Sequence, residues 1–347
     1  MRIETFRARL RDLGAQPLHV DRVLRDWVRV MDHDRGRRRP DDFLPKPVRT
    51  ALPQLDAELD ALARVLSTHP ADDGSARLLV GLADGQTVET VLLPRDGVCV
   101  SSQVGCAVGC QFCMTGQSGL IRQVTSGEIV AQVVLARRLR PVKKVVFMGM
   151  GEPAHNLDNV LEAIDLLGIE GNIAHKNLVF STVGDPRVFE RLPAGRVKPA
   201  LALSLHTTKP DLRARLLPRA PRFTARELVE EGERYARLTG YPIQYQWTLL
   251  DGVNDGHDEL DALVDLLRGK YAVLNMIPYN TNPGLPFQRP GWDKARAIAA
   301  MLFERGVLTK LRDSAGQDVD GGCGQLRARA VGERTVTLRR ANGACDG

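Results

Sequence analysis

From about residue 97 onward the chain predicts an α/β fold built around a mainly parallel sheet. Short apolar runs alternate there with amphipathic, capped helical stretches, which is the pattern of successive βα units. The composition, 43% hydrophobic and 26% charged, is that of an ordinary globular protein and excludes disorder, collagen and coiled coil as descriptions of the whole. The length of 347 residues suits one large unit with appendages as well as two domains of roughly 150 residues each. Strand-like runs recur at Val98–Val100, Lys144–Met148, Asn177–Ser181, Ala200–Leu205, Ile243–Leu250, Ala272–Ile277 and Val307–Arg312. Between them, Thr125-Ser-Gly-Glu128 is a capping box opening a helix to Arg138, and Thr224-Ala-Arg-Glu227 opens another that stops before Gly240. Asn156 caps a third, ending near Gly168. Such an array makes either a doubly wound sheet or a full or partial (β/α) barrel, and in each the active site lies at the carboxyl ends of the strands.

Ahead of this core, residues 1–75 show helical periodicity, as in Val23, Leu24, Trp27, Val28 and Met31, and read as a small helical accessory domain. The basic loop Arg35–Arg39 inside it is either solvated surface or a phosphate contact. Residues 76–96 hold a β-hairpin extension, Ala76–Leu82 and Thr87–Leu93, with its turn at Asp84-Gly85. The core spans 97–326, and 327–347 form a basic tail. Lys+Arg 48 against Asp+Glu 42 leaves a net charge of +6, which permits a nucleic-acid partner without establishing one. The amino terminus intersperses charged and apolar residues, and no apolar run approaches the roughly 18 residues of a membrane span. A cytoplasmic protein with no membrane partner is expected, in a compartment where cysteines serve metals or catalysis more often than structural disulfides.

Four of the six cysteines fall within fifteen residues, Cys99 in the predicted strand Val98–Val100 and Cys106, Cys110 and Cys113 in the loop after it. Cys106-Ala-Val-Gly-Cys110-Gln-Phe-Cys113 supplies three thiolates, one fewer than the irons of a four-iron cluster, so one iron would stay open for a ligand. Zinc held by the same three cysteines with Cys99 or a histidine is the alternative, although zinc ribbons usually draw two ligand pairs from separate hairpins. Gly149-Met-Gly-Glu152-Pro153 follows an apolar run; its glycines let backbone approach a ligand and Glu152 can accept from an ammonium group. Cys323 sits among Gly321, Gly322 and Gly324, which predicts a mobile backbone and an accessible thiol. Cys345 reads as a spare thiol near a frayed terminus.

The Cys-x3-Cys-x2-Cys spacing, with Phe112 before the last cysteine, resembles the signature of radical S-adenosylmethionine (SAM) enzymes. Further blocks narrow the resemblance: Cys99-Val-Ser-Ser-Gln-Val-Gly-Cys106, Thr115–Gly119, Gly149–Pro153, Ser204-Leu205-His206 and Asp320-Gly-Gly-Cys323-Gly-Gln-Leu326 are similar, in order, to the RNA adenine methyltransferases of the RlmN/Cfr family. The resemblance runs from about Glu89 to Leu326 and implies a partial (β/α) barrel of the radical-SAM type.

It further implies a [4Fe-4S] cluster on Cys106, Cys110 and Cys113, and SAM held by Gly151, Glu152, Ser181, Ser204, Leu205, His206 and Asn280. By the same resemblance Cys323 carries a methyl group to the adenine ring, Cys99 releases the product by forming a disulfide with Cys323, and Glu89 accepts the ring proton. Carbon 2 is the family's commonest position, with carbon 8 as the variant, and the RNA is 23S rRNA or tRNA. An electron donor such as flavodoxin or ferredoxin and a monomeric enzyme are expected. Arg35–Arg39, Arg122, Arg327, Arg329, Arg339 and Arg340 are candidates for phosphate contacts. The sequence departs from the family at His19–Val23, where an aromatic-Arg-x-x-Gln stretch is common, and at Tyr279-Asn280-Thr281, where Trp-Asn-Pro is usual. A radical-SAM enzyme of another substrate class would not need the Cys99/Cys323 pair. A zinc-binding RNA module would have no use for Gly149–Pro153.

Overall fold

The computed structural model of the chain describes residues 1–34 and 40–327; Arg35–Arg39, Arg329, Arg339, Arg340 and Cys345 lie outside them. The strands are β1 Ala63–Pro70, β2 Ala76–Leu82, β3 Thr87–Leu93, β4 Gly97–Cys99, β5 Gln103–Gly105, β6 Leu120–Gln123, β7 Lys144–Phe147, β8 Leu178–Thr182, β9 Ala200–Ser204, β10 Ile243–Leu249, β11 Ala272–Pro278 and β12 Thr309–Leu311. Ten form one sheet in the order β1-β2-β3-β4-β7-β8-β9-β10-β11-β12, while β5 and β6 pair separately. The first four run antiparallel to their neighbours, and every pairing from β4 through β12 is parallel.

Parallel strands are apolar almost throughout because helices cover them. Val145 and Phe147 of β7, Leu178 and Phe180 of β8, and Leu201 and Leu203 of β9 are buried in one continuous core. The other face is polar: Lys144 of β7, Gln244 and Gln246 of β10, Asn275 of β11 and Lys310 of β12 line a cleft of about 790 Å³. Among the described residues no ladder joins β1 to β12. The gap is bridged instead by the loop after β12, where the Gly316 amide donates to Asp73 Oδ2 (3.0 Å) and Arg77 Nε donates to the Val319 carbonyl (2.6 Å). This is the partial-barrel arrangement that the sequence resemblance implied.

Both capping boxes form as the sequence predicts, opening the helices Ser126–Leu139 and Ala225–Thr239. Asn156 stands at the amino end of the helix Leu157–Ile169, yet its Nδ2 donates to the carbonyls of Ser102 (2.7 Å) and Val124 (2.6 Å) and leaves the helix amides alone. It therefore pins the loop after β4 and does not cap. The segment expected to be helical holds four helices and then β1. A register shift between Val65 and Ser67 interrupts the alternation that would have marked β1 as a strand, so the hairpin is the inner part of a four-stranded meander, β1 to β4. The helices dock on the core through Ile3, whose amide donates to Ser126 Oγ (2.8 Å), and through Arg137, which donates to the Val28 carbonyl (2.6 Å). Among the described residues no helix is long and apolar enough to cross a membrane.

Candidate active site

The cysteine loop grows out of the β5–β6 hairpin. The Cys106 amide donates to the Gly119 carbonyl (2.9 Å), and the preceding Gly105 has φ +78°. A Cβ at Gly105 would lie 1.9 Å from the Gly119 carbonyl oxygen, so only glycine lets the loop start here. On its far side the loop is tied to the Cys323 segment, since the Met114 amide donates to the Gly324 carbonyl (2.8 Å) and Thr115 Oγ1 to that of Leu326 (2.5 Å).

Cys106, Cys110 and Cys113 line a cavity of about 160 Å³ together with Gly151, Glu152, Ser181, Ser204, His206 and Cys323. The strand residues come from β8 and β9, at their carboxyl ends. Burial pushes Cys106 up to about 12 and Cys110 well above the ordinary thiol range, and the neighbouring thiols disfavour one another's ionisation. Such a set calls for a positively charged guest. Among the described residues no three His, Cys, Asp or Glu side chains gather closely enough to hold a single metal ion. Ligands of one zinc must converge to about 2.3 Å from it, whereas the thiolates of a cluster bind separate irons, and three thiols on one loop suit the latter.

Glu152 is buried beside this set. Its Oε1 accepts from the Ala154 amide (3.0 Å) and its Oε2 from the Val183 amide (3.0 Å), while its own amide donates to Gln103 Oε1 (2.8 Å). Burial raises its pKa to about 7, and an ammonium group arriving at the cavity would restore the carboxylate. Gly151, at φ +102°, allows this turn: a Cβ there would stand 2.6 Å from Gln103 Cβ. Burial, helped by Arg213, drops His206 to about 3, so the imidazole is neutral. The Thr248 amide donates to its Nδ1 (2.9 Å), which places the ring proton on Nε2. His206 also has φ 59° and meets the Phe112 ring edge-on at 4.9 Å. A left-handed non-glycine residue costs about 1–2 kcal/mol, a strain typical of a side chain held for a purpose.

Cys323 stands in the wall of this cavity and also in that of the 790 Å³ cleft, which Cys99 and Cys113 share. Burial pushes Cys99 up to about 12, with Cys323 contributing. Cys323 is exposed, as its setting predicted, and hydrogen bonds tie its loop to its neighbours. Asn280 Nδ2 donates to its carbonyl (2.9 Å), and the Gly322 amide donates to Gln325 Oε1 (3.0 Å). The glycines serve close packing: a Cβ on Gly322 would lie 2.6 Å from Gln325 Oε1.

Three of the predicted site residues line neither cavity: Glu89, Leu205 and Asn280. The Leu205 side chain is in the core, and its amide donates to the Gln246 carbonyl (3.0 Å). Asn280, expected at the adenosine part of SAM, is spent on the Cys323 carbonyl and on Ser314 Oγ. Glu89 lies one layer behind the cleft wall. It is fully buried against the Arg77 guanidinium, and its Oε2 accepts from the Arg327 amide (2.9 Å). Of the expected phosphate contacts, Arg122 is engaged with Asp84 and Glu128. Sequence reasoning missed two buried arginines. Arg77 is diagonal to Glu89 across the β2–β3 ladder, a charge pairing visible once the hairpin is drawn. Arg213 donates to the carbonyls of Ser204 (2.9 Å), Leu205 (2.8 Å) and Val183 (2.6 Å), holding the ends of β8 and β9 under the cavity; nothing in its sequence surroundings marks it.

Residues 100–267 match the radical SAM superfamily. Over 341 residues the chain is 71% identical to a protein of Leptothrix cholodnii named "Probable RNA methyltransferase", covering 98% of each chain. A namesake from Methylibium petroleiphilum is 72% identical over 332 residues, 96% of this chain and 94% of the relative. The crystal structure of a radical SAM methyltransferase from Sphaerobacter thermophilus superposes with a TM-score of 0.81 at 34% identity, covering 95% of this chain and 98% of that one. With its cysteine loop, acidic turn and strand-end imidazole gathered at one cavity, the chain belongs to the radical SAM RNA methyltransferase family and is an enzyme of that class.

Proposed function

We propose that this enzyme methylates a ring carbon of an adenine in RNA, carbon 2 in the first instance, with 23S rRNA or tRNA as the substrate. The observation that carries the reading is the position of Cys323 between two cavities, with the three-cysteine loop and Glu152 in one and Cys99 in the other. Cys106, Cys110 and Cys113 would hold a [4Fe-4S] cluster. Glu152 would take the ammonium group of SAM, while Gly151, Ser181, Ser204, His206 and the backbone of Leu205 frame the rest of it. Bound together, these groups supply the radical chemistry that an electron-poor aromatic C–H centre requires.

The chain's own residues do the rest. Cys323 carries the methyl group as a thioether; that methyl gives a hydrogen atom to the radical those groups would supply, the resulting carbon radical adds to the adenine ring, and the adduct's unpaired electron would pass back to the same groups as the ring proton leaves. Glu89, ion-paired with Arg77, takes the ring proton, which requires the Leu326–Arg327 segment to move off its Oε2. The Cys99 thiolate then attacks the Cys323 sulfur; the S–C bond breaks, its electron pair leaves with the methylene carbon, which takes a proton to become the methyl group of the released adenine, and a disulfide remains. A flavodoxin- or ferredoxin-type electron donor, a monomeric state and a cytoplasmic location complete the reading.

The test is mass spectrometry of Cys99→Ala protein purified anaerobically with its cluster intact. The expected product is an RNA nucleotide joined to Cys323 through a methylene, and the fragment identifies both the RNA and the ring carbon, carbon 8 included. An unmodified Cys323 beside a full cluster would overturn the reading.

A further inference from the structure

We propose that the amino-terminal mouth of the barrel is an anion site that admits small carboxylate-bearing thiols to the Cys99–Cys323 disulfide. The inference rests on the disulfide of the proposed reaction, which must be reduced before each new cycle. The cleft offers a route to it, because its wall runs from Gly97, Lys144 and Gln244, at the amino ends of β4, β7 and β10, to Cys99 and Cys323.

Four cations converge on that mouth: Arg95, Lys144, Lys310 and Arg312. Among the described residues none of them makes an ion pair, and Arg312 Nε donates only to the neutral Asn275 Oδ1 (3.0 Å). The same cleft wall carries Asp72, Asp73, Asp313 and Asp318, none of which pairs with these cations: Asp313 pairs with Arg289 (3.1 Å), Asp73 accepts from Ser75 and Gly316, and Asp318 accepts from the Asp72 amide (3.1 Å), while Asp96 beside Arg95 pairs with Lys143 (2.9 Å). Lys144 is half-buried, and its burial and the charges of Arg312, Arg95 and Lys310 hold its pKa below the ordinary lysine range. Like charges gathered with no ion pair to any of them favour an anionic guest.

The backbone maintains this arrangement against strain. Arg95 and Asp96 both lie in the left-handed region, with φ 58° and 59°. The Asp96 carbonyl accepts from the amides of Lys143 (2.8 Å) and Lys144 (3.2 Å), so the strained turn sets Arg95 beside Lys144. Both residues belong to the tight turn that joins the antiparallel β3 and β4, and the hairpin enforces their conformation.

The chemistry selects the guest. Cys99 is buried and Cys323 exposed in the wall of one cleft, and its 790 Å³ is the size of a small-molecule pocket. Attack requires a thiolate, and the four cations both draw in carboxylates and favour ionisation of the incoming thiol. One thiolate attacks a sulfur of the disulfide, the S–S bond breaks, and the departing cysteine sulfur takes the electron pair and a proton. A second thiolate attacks the mixed disulfide, so two thiols are oxidised to one external disulfide as Cys99 and Cys323 are reduced.

The experiment uses full-length protein oxidised with diamide and follows Cys99 and Cys323 by differential alkylation and mass spectrometry. Reduction by mercaptosuccinate, 2-mercaptoethanol and cysteamine is compared, each rate normalised to the same thiol's reaction with a small disulfide. The expected result is at least a tenfold preference for mercaptosuccinate at low salt, weakened at high salt and lost in the Lys144→Gln/Arg312→Gln variant. Equal charge preference in wild type and variant, or faster reaction with cysteamine, would overturn the proposal. So would RNA oligonucleotide binding that weakens in that variant, which would assign the mouth to phosphates. If oxidation joins no Cys99 to Cys323, the proposed methyl-transfer reaction itself fails, an outcome distinct from a disulfide that forms but shows no preference.

Discussion

Replacing Arg77 by methionine keeps most of the side chain's length and removes its charge. In the folded protein its guanidinium donates to Glu89 Oε1 and its Nε to the Val319 carbonyl (2.6 Å), with the two side chains only 1% and 0% exposed. The variant leaves a buried carboxylate without its counter-charge, a change that costs about 3–5 kcal/mol when one partner of such a pair is removed. The lost bond to Val319 falls within the same perturbation and is not added separately. A loss of about 4 kcal/mol corresponds to a fall in Tm of about 8 °C, at roughly 2 °C per kcal/mol for a chain of this size. The assay is urea unfolding followed by fluorescence of Trp27, Trp247 and Trp292. Glu89→Gln added to Arg77→Met should recover at least about 2 kcal/mol, because the stranded charge is gone. An Arg77→Met variant within about 1 kcal/mol of wild type, or a double variant equal to the sum of the singles, would refute the view that Arg77 exists to neutralise Glu89.

Three other outcomes are expected. His33 bridges Asp26 (3.0 Å) and Asp56 (3.1 Å), and those hydrogen bonds raise its pKa from 6.5 to about 9. Its folded pKa exceeds its unfolded one, so the bridge contributes its full amount, about 2–3 kcal/mol, below pH 6.5 and loses it as pH rises through 9. The stability gap between wild type and His33→Gln should therefore shrink between pH 6 and pH 10; a constant gap would contradict the assignment. Gly105→Ala drives a Cβ to 1.9 Å from the Gly119 carbonyl oxygen and breaks the bond from the Cys106 amide. Its iron content after anaerobic reconstitution should fall by at least half while circular dichroism stays unchanged. Asn280→Ala releases the Cys323 carbonyl, and with one hydrogen bond lost, alkylation of Cys323 by iodoacetamide should accelerate roughly 2–10-fold. An unchanged rate would mean that other contacts hold the loop.

The parts legible in the sequence are those whose partners are close along the chain. Thr125 and Glu128, or Thr224 and Glu227, meet across one helical turn, so their boxes are visible as letters three apart. The βα alternation is equally local, and each of the seven predicted runs holds a strand. β1 escaped because the shift at Val65 and Ser67 erases the period on which strand reading depends. Asn156 and Asn280 were assigned to a cap and to a ligand because their side chains suit both. The bonds of Asn156 go instead to Ser102 and Val124, and Asn280 reaches the Cys323 carbonyl, partners distant in sequence.

By itself, then, the sequence determined the fold class, the three-cysteine loop and the resemblance that links it to an outlying Cys323, since each depends on spacing, composition or the order of motifs. Only the tertiary structure decided that Cys323 lies in the wall of two cavities, that Glu89 is sealed behind Arg77 and Arg327, and that Arg213 underlies the strand ends. It also brought Arg95, Lys144, Lys310 and Arg312 to one mouth. Such juxtapositions follow from strand order, from the curl of the sheet and from the loop that bridges its gap. These arise when the whole core packs, and no local pattern of residues encodes them.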